Sequence, residues 1–120
     1  MSERRMLIAA LKNYCDMIWE YDRESGKIFL HYDITAQKYE GKAYTVSELT
    51  GIFRDEFGIG ISDSLWKKYL NEDYLKSLFN GKGDSELELQ FLLPVSQLRW
   101  YRIRIVKTDE KTLIISGRDM

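Results

Sequence analysis

The chain has 120 residues, which is the length of one compact domain and too short for two. Its 18 basic and 19 acidic residues leave a net charge of −1, so no long-range field favours nucleic acid or an anionic membrane surface. A single cysteine, Cys15, and a single histidine, His31, exclude an intrachain disulfide framework, a cysteine-cluster zinc site and a multi-histidine metal site. We therefore predict a folded domain without a metal site in a reducing, cytoplasmic setting.

The first part of the sequence predicts a helix followed by a β-hairpin. Leu7, Leu11 and Tyr14 recur at helical spacing, which indicates a short amphipathic helix over residues 3 to 15, with Ser2 as its cap. Two aromatic and β-branched runs then flank a turn-forming segment, Asp22–Gly26. We predict an N-terminal helix over 1–16 and a single globular domain over 17–120.

The middle of the sequence predicts several short helices. Thr45 and Glu48 have the spacing of a capping box, and an apolar stripe follows up to Gly58, which favours a helix end. Ser62 or Asp63 is predicted to cap a second helix. Asn71 is predicted to begin a third, which carries apolar residues at Leu75, Leu78 and Phe79.

The last third of the sequence has the two-residue period of antiparallel strands. Glu86 and Glu88 alternate with leucines, and we expect them to lie opposite Arg102 and Arg104 on a neighbouring strand as solvated ion pairs. A further strand is predicted over 113–115. These elements predict an α+β fold with a five-stranded antiparallel sheet, short helices packed on one face and the amphipathic N-terminal helix added.

The order of these elements, taken with certain residues, resembles a PAS (Per-Arnt-Sim) domain over essentially the whole chain. The pieces that carry the resemblance are Ile18-Trp19-Glu20-Tyr21-Asp22 with Gly26, Asn71-Glu72-Asp73, Arg99-Trp100, and Gly117-Arg118-Asp119-Met120. The resemblance implies a non-catalytic sensory module from a multidomain bacterial signalling protein, either cytoplasmic or membrane-anchored. It also implies a downstream output domain such as a diguanylate cyclase or a histidine kinase.

The resemblance assigns a signal-relay role to Asp119, which stands where many PAS domains begin an Asp-x-Thr signature. Flavin-binding light sensors of the family carry a cysteine in an Asn-Cys-Arg motif in the central helices, and Cys15 lacks that position and context. Haem-binding members use a histidine on the long helix before the third strand, whereas His31 belongs to the predicted first hairpin. We therefore expect neither flavin nor haem, and we expect that any ligand is a different small molecule.

Aromatic residues supply the candidate ligand site, between the middle helices and the sheet. Four are selected because they are predicted on elements that face each other: Trp66, Tyr69, Phe91 and Tyr101. Tyrosine hydroxyls and a tryptophan N–H are the few polar groups that such pockets use, although most aromatic residues simply form core. His31 is a weaker candidate for a ligand contact or a pH switch, against a hydrogen-bonded structural role.

Two other functions remain open from the sequence. One is a dimerisation scaffold that binds no ligand. With or without a ligand we expect a homodimer, since the apolar stripe of the N-terminal helix must be buried and a second subunit would cover it. The other is a small α+β cone enzyme with an interior acid, for which Glu20 and Asp22 are the nearest candidates. We predict no catalytic residue, no nucleic acid partner and no direct membrane contact.

Overall fold

A computed structural model of the chain describes residues 3–34, 36–57, 71–80, 84–92 and 98–119. Within these ranges the side chains of residues 3, 4, 56, 57, 84–92, 98–101 and 119 are not described. The predicted Ser2 cap, the stop at Gly58 and the helix at Ser62 or Asp63 lie outside the described residues. None of the helices in the described ranges combines the length and the apolar character needed to span a membrane.

The predicted order of helices and strands is confirmed, with one short strand added. The helices are α1 (Glu3–Leu11), α2 (Val46–Phe57) and α3 (Glu72–Ser77), with 3-10 turns at Gln37–Tyr39 and Leu78–Asn80. The strands are β1 (Met17–Asp22), β2 (Lys27–Asp33), β3 (Ala43–Thr45), β4 (Asp84–Leu92), β5 (Leu98–Asp109) and β6 (Thr112–Asp119). The addition is β3, a three-residue strand that was not predicted and that ends at the predicted helix cap, Thr45.

The strands form one antiparallel sheet in the order β3-β2-β1-β6-β5-β4. The five longer strands are those predicted, so the α+β class with a five-stranded antiparallel sheet is confirmed. In the β4–β5 register, Glu86 lies directly opposite Arg104 and Glu88 directly opposite Arg102. The predicted pairing of acidic with basic positions is therefore confirmed at the level of backbone register.

Helices α2 and α3 cover one face of the sheet, which we call the inner face. The alternation of side chains along each strand presents large apolar residues there, and Leu49, Phe53 and Leu75 from the helices pack against them. The strand residues of this core are Met17, Trp19, Tyr21, Ile28, Leu30, Ile103, Ile105, Leu113 and Ile115. The domain core therefore lies between β1, β2, β5, β6 and the two helices.

Helix α1 covers part of the opposite, outer face. Ile8 is buried against Ile18 and Ile114, and Leu7 and Leu11 pack beside them. The helix ends at Leu11, four residues before the predicted end, because residues 12–14 form a turn. Tyr14, the third member of the predicted stripe, is 66% exposed.

Local hydrogen bonds explain where the chain turns and where helices begin. The Thr45 hydroxyl accepts from the Glu48 N–H at 3.1 Å and the Glu48 carboxylate accepts from the Thr45 N–H at 2.9 Å, which confirms the capping box. The Asn71 side chain accepts from the Tyr74 N–H at 2.7 Å and begins α3 as predicted. Gly26 closes the first hairpin with a φ of 69°, a backbone region that glycine enters without steric cost.

Candidate functional site

The inner face carries a buried tyrosine whose hydroxyl has no hydrogen-bond partner among the described residues. Tyr21 is fully buried on β1, between Ile28 of β2 and Leu113 of β6 in the strand register. Its ring lies 6.3 Å from that of Phe79, at the end of the segment that begins with α3. A buried, unpaired hydroxyl is unfavourable by about 1–3 kcal/mol, so this group marks a position where a further polar atom would be stabilising.

The surroundings of Tyr21 favour the protonated form of its hydroxyl. Burial, with a smaller contribution from the Glu72 carboxylate, raises the pKa of the Tyr21 phenol. The Arg23 guanidinium stands 5.1 Å from the centre of the Phe79 ring. Tyr21 can therefore donate a hydrogen bond at neutral pH, in a setting with an aromatic wall and a nearby carboxylate.

A second polar group on the inner face is the Asp33 carboxyl group, which is 1% exposed. The Trp19 indole N–H donates to its Oδ2 at 2.9 Å, and the two rings of Trp19 and Phe53 lie 5.5 Å apart. A buried carboxyl group needs such donors, because its transfer out of water is unfavourable without them. Trp19 and Asp33 thus form a buried polar pair next to α2.

A β-bulge in β2 places Asp33 on the inner face. Trp19 pairs with Leu30 and Ile18 pairs with Tyr32, so His31 is the extra residue of the bulge. The extra residue shifts the alternation of side chains between the two faces, so Asp33 lies on the same face as Leu30. This shift is not visible in the hydrophobic pattern of the sequence.

His31 lies on the outer face, where it has a partner. Its Nε2 is 2.8 Å from Glu20 Oε1, and its ring contacts that of Phe29 edge-on at 4.6 Å. These residues line an open cleft of about 410 Å³ beside α1, together with Arg5, Ile8, Asp22, Ser25, Lys27 and Ala43. The candidate histidine is therefore hydrogen-bonded to a carboxylate and remote from the inner-face site.

Glu20 and Asp22, the acids considered for an interior catalytic role, do not lie in the interior. Both border the outer cleft beside Ile8 of α1. Asp22 accepts from the backbone N–H groups of Glu24 and Ser25 in the hairpin turn. Hydrogen bonding, chiefly by the Ser25 hydroxyl, lowers the pKa of Asp22 and keeps it ionised as a turn residue.

Two of the four predicted ligand residues, Trp66 and Tyr69, lie outside the described residues. Phe91 and Tyr101 are described as strand backbone only, on β4 and β5. The register pairs Tyr101 with Leu89 on one side and with Asp119 on the other. A candidate ligand residue and the candidate relay residue are therefore direct neighbours on adjacent strands.

The end of β6 is also bonded to the segment that joins α1 to β1. The Asp16 N–H donates to the Gly117 carbonyl oxygen at 2.8 Å, and the Ile34 N–H donates to the Asp16 carbonyl oxygen at 2.9 Å. Burial raises the pKa of the neighbouring Cys15 thiol, which is hydrogen-bonded to the Ser116 side chain. Strand β6 thus contacts the inner-face core, β5 and the base of α1.

Comparison of this architecture with solved structures identifies its fold. A sensory box histidine kinase/response regulator from Burkholderia thailandensis E264 matches over 98% of this chain and 85% of its own, with 15% identity and a TM-score of 0.55. A PAS domain of an HTR-like protein from Haloarcula marismortui covers both chains completely, with 18% identity and a TM-score of 0.46. No protein-family model and no curated protein matches the sequence. The first similarity, with the strand order, confirms a PAS-like fold.

Sequence reasoning overlooked Tyr21 and Asp33 as polar groups of the inner face. Tyr21 was part of the PAS resemblance, and its alternation with Trp19 places both on one face of a strand. A tyrosine in an apolar run is usually core, so the pattern alone gives no sign that its hydroxyl lacks a partner.

Proposed function

We propose that the protein is a non-catalytic regulatory module of the PAS type. It binds a small ligand between the middle helices and the inner face and passes the bound state to a following output domain. The proposal is supported by the PAS-like fold and, above all, by the Tyr101–Asp119 pairing, which joins a candidate ligand residue to a candidate relay residue. A diguanylate cyclase or a histidine kinase in the cytoplasm is the output that we propose.

The mechanism of this module is a shift between two arrangements of the sheet. A ligand changes the equilibrium only if it binds one arrangement better than the other. Strand β6 is hydrogen-bonded to both β1 and β5, so a small displacement of either strand reaches Asp119 and, through Gly117, the base of α1. The ligand and the output domain are then coupled through one strand.

A native mass spectrum of the purified protein, compared with its denatured mass, tests ligand binding. We expect an additional mass of a small molecule in the native spectrum that is lost on denaturation. The alternative function, a ligand-free dimerisation scaffold, is favoured by the exposure of Met6 (58%) and Tyr14 (66%) on and after α1. Two chains without additional mass would support the scaffold, and a single chain without additional mass would contradict both functions.

The relay role of Asp119 is tested by Asp119→Asn in a protein that carries this module with its output domain. The substitution keeps the size and removes the charge, and charge-assisted hydrogen bonds are stronger than neutral ones. We expect the activity of the output domain to change while the melting temperature of the isolated module stays the same. Glu110→Gln is the control, because Glu110 is exposed in the turn at the other end of the β5–β6 hairpin. Equal output activity in both variants would rule out the relay.

A further inference from the structure

Among the described core residues, Tyr21 has a buried hydroxyl that a ligand could bind. Its oxygen is buried and has no hydrogen-bond partner in the part of the chain that the structure describes. The ring is held by its strand neighbours Ile28 and Leu113 and by Phe79, which leaves the hydroxyl few ways to reach water. An unpaired buried donor destabilises the free protein, and a bound molecule that supplies an acceptor would remove this penalty.

The surroundings of Tyr21 restrict the chemistry of that molecule. A protonated phenol can donate and accept, and its unpaired O–H donor is satisfied by an acceptor such as a carbonyl or ether oxygen or a ring nitrogen. Two carboxylates, Glu72 and Asp22, and one opposing cation, Arg23, act electrostatically on Tyr21, so the local charge disfavours an anion. The core residues packed in the same cluster as Tyr21 include Ile28, Leu75, Phe79 and Leu113, so a ligand that reaches the hydroxyl contacts apolar side chains and needs an apolar body.

We propose that Tyr21 donates the hydrogen bond that orients an uncharged, largely apolar ligand carrying an acceptor atom, held between β1 and the α3 segment. This inference rests on the proposed function, because it names the anchor and the ligand class of the same inner-face site. The ligand site predicted from the sequence lay between the middle helices and strands β4 and β5, and this proposal extends the site to β1.

The test uses Tyr21→Phe with Tyr44→Phe as the matched control. Tyr44 is a partly buried tyrosine whose hydroxyl donates to the Tyr39 carbonyl oxygen at 3.4 Å. In the ligand-free protein, Tyr21→Phe is expected to raise the melting temperature, because it removes an unsatisfied buried hydroxyl. Tyr44→Phe is expected to lower it slightly. A fall for Tyr21→Phe as large as that for Tyr44→Phe would overturn the proposal, since it would show that the hydroxyl is already satisfied.

Binding is measured with three probes of similar size, acetophenone, ethylbenzene and benzoate, by titration of backbone amide spectra. We expect acetophenone to bind, and Tyr21→Phe to weaken it about two- to twelvefold, the ratio given by a neutral hydrogen bond of about 0.5–1.5 kcal/mol. Ethylbenzene, which has no acceptor, should bind both proteins equally, and benzoate should bind more weakly than acetophenone.

The outcomes distinguish the hydrogen bond from Tyr21 from ligand binding by the module as a whole. Acetophenone binding that is unchanged by Tyr21→Phe, or benzoate binding tighter than acetophenone, would overturn the anchor while ligand binding by the module stands. Absence of binding by all three probes, together with a native mass equal to the denatured mass, would overturn both the anchor and the proposed ligand sensor.

Discussion

Gly117→Ala is expected to lower the free energy of unfolding by about 1–3 kcal/mol, the usual effect of overpacking a core. Gly117 lies in β6 between Met17 of β1 and Ile103 of β5. A Cβ at this position would stand 2.6 Å from Met17 Cγ and 2.9 Å from Ile103 Cδ1, so both side chains must move. The absence of a side chain at residue 117 is what lets Met17 fill the inner face there.

Gly51→Ala is the control for that substitution. Gly51 lies inside α2, and a Cβ there would meet nothing within 4 Å. Alanine is favoured over glycine in a helix interior by about 1 kcal/mol, so we expect this variant to be more stable than the wild type. Urea denaturation measures both free energies of unfolding. Equal changes in the free energy of unfolding for the two substitutions would show that the contact with Met17 does not destabilise Gly117→Ala.

A double-mutant cycle with Met17→Ala shows whether the contact with Met17 causes the destabilisation by Gly117→Ala. If the contact of residue 117 with Met17 causes the loss, Gly117→Ala should cost less in the Met17→Ala background than in the wild type. Strictly additive free energies would instead assign the loss to Ile103 or to the backbone.

Much of the fold is predictable from the sequence because its local signals agree with one another. The capping box at Thr45 and Glu48, the cap at Asn71 and the turn at Asp22–Gly26 each depend on side chains that bond to backbone within four residues. The alternation of Glu86 and Glu88 with leucines predicts that they share a face with Arg102 and Arg104 of the neighbouring strand, because each face of an antiparallel pair has a two-residue period.

Features that depend on contacts between distant segments were not predicted. The bulge at His31 is seen only in the pairing of β2 with β1, and the hydrophobic pattern around it gives no sign of an extra residue. It moves Asp33 to the inner face and leaves His31 on the outer face, so the face of Asp33 could not be predicted from the alternation in β2. Glu20 and Asp22 were considered as interior acids, although their alternation with Trp19 and Tyr21 in β1 already places them on the outer face. Strand β3 is short and depends on the edge of β2 for its hydrogen bonds.

Trp19→Phe is expected to lower the free energy of unfolding by about 1–3 kcal/mol, because it removes a donor from a buried carboxyl group. The indole N–H of Trp19 donates to Asp33 at 2.9 Å, and both residues are at most 2% exposed. Phenylalanine keeps an aromatic ring next to Phe53 but offers no hydrogen bond to Asp33. The smaller ring also leaves unfilled volume beside Asp33, and the total loss should be measurable by thermal and urea denaturation.

His31→Phe is the matched control, since it also replaces a ring that bears N–H with phenylalanine. His31 bonds to Glu20 at 2.8 Å, but the two side chains are 25% and 17% exposed, so water can solvate Glu20 once its partner is removed. We expect a loss below about 1 kcal/mol, because partly exposed pairs contribute little. If both substitutions lower the free energy of unfolding equally, the buried Trp19–Asp33 bond contributes no more to stability than the partly exposed His31–Glu20 bond. The Trp19–Asp33 pair would then not be the element that fixes the bulged end of β2 against the core.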